Sequence, residues 1–297
     1  MPACCSWSNL SNIPWYDSDG MRYDDPIQGN QVINCALFAA LSSIAWVQPD
    51  PFRGFLNPPK IGSYRYFKIY NPTNVSDYRI YYVNLDVCMS SNLFVFGRSK
   101  NPYGEIWPAI WEKAYAAYRS DLPTGTKVEK NIDMCSLNWG GNAFNALITL
   151  TGSTNHWPQP KTIKPVGSPE ISTDEILADI NDVSISCNTN SYKVVGPSKM
   201  VAWTYYQSSS VPIPGYNYNV RVAANHNYSI LGYYIDGTGD LYIVLRNPWG
   251  SCPPTLDPDN PTQNMVWCGY TLNGLNGTLA ITIEEFQTAF EAYGLVN

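Results

Sequence analysis

Residues 35–46 read Cys-Ala-Leu-Phe-Ala-Ala-Leu-Ser-Ser-Ile-Ala-Trp, apolar on every side and free of Gly and Pro. A segment that is hydrophobic all round predicts a buried helix, and Asn34 just before it predicts the N-cap. Over residues 105–118 the apolar positions Trp107, Ile110, Trp111, Ala114 and Tyr115 recur at three- and four-residue steps, predicting a second helix. A third is expected from Asn142 to a stop at Gly152. Prolines crowd residues 157–169, which predicts a connection. From about Tyr192 the pattern turns to strands at 199–206, 228–235, 241–245 and 279–283. The outline is an α+β chain, with a helical lobe over residues 1–155 and a β-rich lobe over 156–297.

The strands at 228–235 and 241–245 flank Asp236-Gly-Thr-Gly-Asp240, a hairpin turn by composition. If Ile235 pairs with Asp240, Asn247 falls opposite Tyr228. His226 shares a strand face with Tyr228, so Asn247 becomes its diagonal neighbour, about 7–8 Å away between Cα atoms. A slip of one residue would send the two side chains to opposite faces. Pro248 holds Asn247 extended, because helical angles are disfavoured before proline.

Composition narrows the field. Apolar residues make up 44% of the 297 and charged residues only 14%, so the chain is globular, with a surface built largely of Asn, Ser, Thr and Tyr. Its 18 basic and 24 acidic residues give a net charge of −6 with no basic run, which argues against nucleic acid as a partner. Eight cysteines show neither a CxxC pair nor zinc spacing, so no metal ligand set is expected. Residues 35–47 are too short to span a bilayer, and residues 1–7 lack the pattern of a signal peptide. A soluble, cytoplasmic and mostly reduced protein is expected, although the low charge and the sequon at Asn276 also suit an extracellular one.

Candidate chemistry begins with Cys35. At the first turn of a helix, unsatisfied N–H groups and the helix dipole favour thiolate, and a nearby imidazolium favours it further. Only two histidines exist. His156 lies in the proline-rich connection and reads as a surface residue. His226 opens a strand whose hairpin partner ends at Asn247. Asn247 could therefore orient one imidazole nitrogen while the other faces the thiol, with Trp249 shielding the pair.

The segment Gln28-Gly-Asn-Gln-Val-Ile-Asn-Cys-Ala-Leu-Phe-Ala-Ala40 resembles the Gln-Gly…Asp-Cys-Trp-Leu-Leu-Ala-Ala segment of the calpain protease core. Glu105-Ile-Trp-Pro-Ala-Ile-Trp-Glu-Lys-Ala-Tyr-Ala116 is similar to that family's Glu-x-Trp-x-x-Leu-x-Glu-Lys-Ala-Tyr-Ala helix. Gly140-Gly141 and Thr151-Gly152 resemble its helix flanks, His226-x-Tyr-Ser-Ile230 its His-Ala-Tyr-Ser-Val, and Arg246-Asn-Pro-Trp-Gly250 its Arg-Asn-Pro-Trp-Gly. Residues 280–286 resemble its last strand-to-helix junction. The ordered set implies a papain-like two-lobed fold with the active-site cleft between the lobes. It implies a cysteine endopeptidase acting on protein or peptide substrates through Cys35, His226 and Asn247. Gly140, Gly141 and Trp249 would line the substrate path. Calcium is the one cofactor the resemblance implies, though it is not needed for the chemistry and no EF-hand loop occurs.

Three departures stand out. Ala36 replaces the family's Trp after the nucleophile. The oxyanion-hole Gln, six residues before the Cys in the family, is displaced, leaving Gln28 or Gln31, of which Gln28 is favoured because Gly29 can absorb the extra residue. The family's accessory domains are missing from this chain. The same triad would also serve a transglutaminase-like or deamidating acyl transferase, and a decayed triad would leave a binding module.

Overall fold

The computed structural model describes residues 6–48, 56–91, 93–101, 104–130, 132–138, 141–163, 170–181, 184–186, 192–195, 199–205, 222–251, 266–267, 270–271 and 276–297. Helix α1 spans Cys35–Val47 and is buried continuously from Cys35 to Ala45, as its all-round apolar character requires. It begins where expected, but Asn34 makes no side-chain cap. Its amide is turned away, donating from Nδ2 to Glu112 Oε1 at 2.5 Å. Helix α2, Trp107–Arg119, carries Pro108 in its first turn, where a missing N–H costs nothing. Helix α3, Ala143–Thr151, has both expected ends. Asn142 Oδ1 accepts from Asn145 N at 2.8 Å, and Gly152 closes the helix at φ 63°.

The first half is not purely helical. Tyr64–Asn71 and Asn74–Asn84 form an antiparallel hairpin between Lys60–Ile61 and Thr126–Val128. Ser6–Asn9, Asp86–Ser90 and Leu93–Phe94 make a smaller sheet. The hairpin's signal was alternation: Phe67, Ile69, Tyr81 and Val83 are buried while their strand neighbours are half-buried or exposed.

The second half is built on one antiparallel sheet. Its order is Thr278–Thr282, Leu241–Arg246, Asn227–Ile235, Lys199–Thr204, Phe290–Val296 and Lys161–Thr162. Its two faces serve two cores. Val201, Leu231 and Val244 join the core of α1, α2 and α3. Met200, Ala202, Tyr228, Ile230, Ile243 and Leu245 join a second core with α4 (Thr173–Asn181) and α5 (Ile283–Ala289). Helix α5 opens with a reciprocal Thr282/Glu285 capping box. Neither α4 nor the last strand was anticipated. The result is α+β, with Cys35 in a helical part and a sheet-rich part beside it, consistent with a papain-like fold.

The hairpin register differs from the expected one at the turn. Ile235 faces Leu241, not Asp240. A bulge between Ile230 and Gly232 then absorbs one residue, so Ser229 faces Arg246. Beyond the bulge the register is the one that sets Asn247 against Tyr228.

Cys88 is disulfide-bonded, whereas Cys35 and Cys135 are free. Among the described residues no helix is long and apolar enough to cross a membrane.

Candidate active site

Three elements converge on one buried point. Cys35 is the first residue of α1 and only 2% exposed. Burial pushes its thiol up from the ordinary value, while the Asn227 side chain and the helix-start N–H groups of Cys35 and Ala36 pull it down. The donor that reaches Sγ is Asn227 Nδ2, at 3.2 Å.

His226 precedes the strand Asn227–Ile235 and is held by its backbone. Its N–H donates to Thr204 Oγ1 at 3.0 Å, and its carbonyl accepts from Thr204 N at 2.9 Å. The ring sits edge-on to Tyr228, with centroids 5.1 Å apart, and against Trp249 at 4.3 Å. Its Nε2 lies 2.9 Å from Asn247 Oδ1. Burial drives the imidazole down to about 4, opposed by the bond to Asn247.

Asn247 is fully buried and fixed on both sides. Its N–H donates to Gly277 O at 2.7 Å, and Gly250 N donates back to its carbonyl at 3.1 Å. Gly277 must be glycine: it sits at φ 77°, and a Cβ there would lie 2.5 Å from the Asn247 carbonyl oxygen. Trp249 N donates to Asn247 Oδ1 at 3.0 Å. That bond settles the orientation of the amide, because a flipped group would set N–H against N–H. His226 Nε2 must therefore be the donor to Oδ1. In the neutral ring Nδ1 is then the acceptor, which is the state a base needs.

The other anticipated residues fall out as follows. Gln28 is half-buried and its backbone N donates to Pro248 O at 2.8 Å, so it borders the Asn247 loop. Its Nε2 donates to Val32 O at 3.1 Å, and its buried Oε1 has no partner. Gly29 does not take a left-handed angle, so the extra residue is not absorbed through one. A Cβ there would instead lie 2.4 Å from the Phe96 backbone. Gln31 is exposed. Gly140 lies outside the described residues. Gly141 is buried, and its carbonyl accepts from Asn227 Nδ2 at 3.2 Å, so that oxygen is already engaged. Trp249 is 42% exposed, with its ring against His226. His156 is half-buried in its loop: its Nδ1 lies 2.6 Å from Trp157 O and its ring meets Phe144 edge-on.

Two contributors were missed. Asn227 points to Cys35 because strand alternation turns residues 227 and 229 toward α1, where Ser229 Oγ donates to Ala39 O at 2.7 Å. Glu112 is 1% exposed and holds both Asn34 and the Gly97 N–H, the latter at 2.7 Å. A carboxylate inside an otherwise apolar helix face was the signal for it.

For calcium, the Asp-rich turns at residues 17–20 and 236–240 are self-satisfied. Asp236 Oδ1 accepts from the N–H groups of Thr238 and Asp240, and Asp17 Oδ1 from that of Asp19. Among the described residues no group of three or more His, Cys, Asp or Glu side chains is arranged around a metal position. One buried carboxylate pair stands apart from these turns. Asp25 and Glu105 are 4% and 1% exposed and interact directly, and Glu105 Oε2 has no hydrogen-bond donor. Two buried carboxylates facing each other need a proton or a cation between them. Without a cation, burial raises Glu105 to about 9 and Asp25 to about 6.

A family model described as calpain family cysteine protease matches residues 4–253. A thiol protease of Porphyromonas gingivalis (strain ATCC BAA-308 / W83) is 26% identical over 292 residues, covering 93% of this chain and 55% of the relative. The chain thus spans about half the length of that curated relative. With a free cysteine at a helix start, a histidine held by an asparagine, and a family match over most of its length, the chain belongs to the calpain family of cysteine proteases.

Proposed function

We propose that the chain is an endopeptidase that cuts peptide bonds through Cys35, His226 and Asn247. His226 Nδ1 takes the thiol proton, and Sγ bonds to the substrate carbonyl carbon as the carbonyl π pair moves onto oxygen. The intermediate collapses, the C–N bond breaks, and the proton on Nδ1 passes to the leaving amine. Water, deprotonated by the same nitrogen, then attacks the thioester. The carboxyl product leaves and the thiol is restored. The Cys35 backbone N–H and the Gln28 amide, once turned from the Val32 carbonyl, would meet the developing oxyanion.

The observation that supports this most is the His226–Asn247 bond, whose direction is set by Trp249 and leaves Nδ1 as acceptor. Burial disfavours each charge alone, raising the thiol and lowering the imidazole. Neither group is therefore helped to ionise by its surroundings unless the other ionises with it. Substrates are protein or peptide segments in extended form. Calcium, if bound at Asp25 and Glu105, would supply charge neutralisation there and no step of the reaction.

The test is a peptide library incubated with wild type and with Cys35→Ala. Peptides cleaved by wild type alone support the reading. Products one mass unit heavier at Gln side chains, with intact backbones, would replace it with deamidation. No wild-type turnover and no labelling of Cys35 by an epoxide thiol reagent would overturn it.

A further inference from the structure

Among the described residues, the side chain that donates to Cys35 Sγ belongs to neither the histidine nor the asparagine just described. Asn227 Nδ2 donates to Cys35 Sγ at 3.2 Å and to Gly141 O at 3.2 Å, and Asn227 Oδ1 accepts from Ala143 N at 2.9 Å. Asn227 is 5% exposed. Its orientation is unambiguous. Turning the amide over would set an oxygen against the Gly141 carbonyl and an N–H against the Ala143 N–H. Both hydrogens of Nδ2 are thus committed, one of them to sulfur. The family motif resembled here carries alanine at this position, so nothing about a calpain-type triad requires the contact.

We propose that Asn227 is a positioning residue for the nucleophile, whose amide, pinned by the loop before α3, holds Cys35 Sγ as a hydrogen-bond acceptor and so favours its thiolate. Three features carry the inference. Sγ can be an acceptor only toward a donor, and the fixed amide presents one. A hydrogen bond to an ionised partner is worth more than one to a neutral partner, so the contact strengthens as the proton leaves. Finally, the amide comes from the sheet while its other two partners belong to the loop and first turn of α3. The thiol is thereby registered against both halves of the chain at one atom. Burial raises the Cys35 thiol, and Asn227 is the largest influence acting against it, through its side chain and its backbone N–H. The ionisable groups beside this arrangement are His226, adjacent to Asn227 in the chain, and Glu112 on α2, which holds Asn34.

The proposal rests on Cys35 being the nucleophile, and its test is chosen to fail separately. Alkylation of Cys35 by iodoacetamide is followed against pH, with the site read by peptide mass so that exposed Cys135 does not interfere. The readout needs no peptidase activity. Asn227→Ala should move the Cys35 profile up by about one pH unit. Peptide kcat/KM should fall about tenfold near neutral pH and recover at higher pH, where the thiol ionises unaided. Asn227→Asp keeps an acceptor for Ala143 N but turns a carboxylate toward sulfur, and should shift the profile further up. A purely structural role would lower Tm and reduce kcat/KM equally at all pH values while leaving the profile in place, and that result overturns the proposal. If both variants are unfolded by circular dichroism, the wild type decides. The 15N side-chain amide signal of Asn227 should titrate with Cys35 and stop doing so in Cys35→Ala. An Asn227 signal that ignores the Cys35 titration overturns the proposal as well.

Discussion

Glu112 Oε1 accepts a hydrogen bond from Asn34 Nδ2 at 2.5 Å, beneath the first turn of the helix that carries Cys35. Its other oxygen accepts from Gly97 N at 2.7 Å. Burial nevertheless raises Glu112 to about 8, so the folded protein holds a proton there that the unfolded chain releases near 4.5. Stability from this group is therefore full below about pH 4.5 and is lost as pH rises toward 8. Glu112→Gln keeps the shape and removes the titration. Its Tm should hold between pH 6 and 8 while that of wild type falls. Glu112→Ala, which strands the Asn34 amide and the Gly97 N–H, should cost several kcal/mol at any pH. Parallel melting curves for wild type and Glu112→Gln across that range would show that Glu112 is ionised throughout.

Cys35→Ala and His226→Ala should each abolish peptide turnover without unfolding the chain. His156→Ala should leave turnover nearly intact, since its contacts are Phe144, Trp157 and Val296. Asn247→Ala should be milder than either triad loss, because it orients the ring and transfers no proton. A dead His156→Ala enzyme would refute the assignment.

His226 also makes a stability prediction of its own. Its folded value near 4 lies below the ordinary 6.5, so the unfolded state binds the proton first as pH falls. Wild type should lose about 3 kcal/mol relative to His226→Ala as pH drops from 6.5 to 4. Asp25, Glu105 and Glu112 are displaced upward and act in the opposite sense, but they are common to both proteins. An imidazolium already paired with thiolate at rest would reverse the sign of the difference.

Local pattern reached some elements and not others. Helices α1, α2 and α3 and the pairing of His226 with Asn247 follow from period, caps and one hairpin. The hairpin also shows why such reasoning can succeed for an incomplete reason. The turn pairs Ile235 with Leu241, one residue off, and a bulge at Leu231 that no turn residue announces restores the register. The strands of residues 60–94 and 290–296, and α4, were not read, although 64–71 alternates plainly between buried and less buried positions. Asn34 was assigned to capping from its type, and its amide instead serves a carboxylate 78 positions away, a tertiary contact that no local rule contains.

Calcium makes a sharp test at Asp25 and Glu105. A divalent ion between these carboxylates would replace the proton their burial now demands. Added calcium should raise Tm near pH 7 and chelator should reverse the gain, and Glu105→Gln should abolish the response. The affinity should weaken as pH falls, because the ion competes with protons for the pair. Full peptide turnover in chelator, with no change in Tm on adding calcium, would rule the site out.

The last prediction concerns the oxyanion hole. Attack by Cys35 places negative charge on the former carbonyl oxygen, and a fixed donor must meet it. The helix-start N–H of Cys35 is one candidate and a glutamine amide the other. Gln28 is the better placed of the two, because its backbone is tied to Pro248, next to Asn247, while Gln31 is exposed. At rest, however, Gln28 Nε2 is spent on the Val32 carbonyl and Oε1 is buried without a partner. An amide with one committed hydrogen and an orphaned oxygen is readily reoriented, since turning it leaves little behind. Gln28→Ala should therefore lower kcat by about 10²–10³ with little change in KM, and Gln31→Ala should be near neutral. Gln28→Glu, which presents a carboxylate to the oxyanion, should be at least as damaging as alanine. Stability should respond little to Gln28→Ala, because only the Val32 bond is lost and a buried orphan oxygen is relieved. The reverse ranking of the two glutamines would move the hole to Gln31. Full activity in both alanine variants would place the donors elsewhere, or exclude acyl-enzyme chemistry.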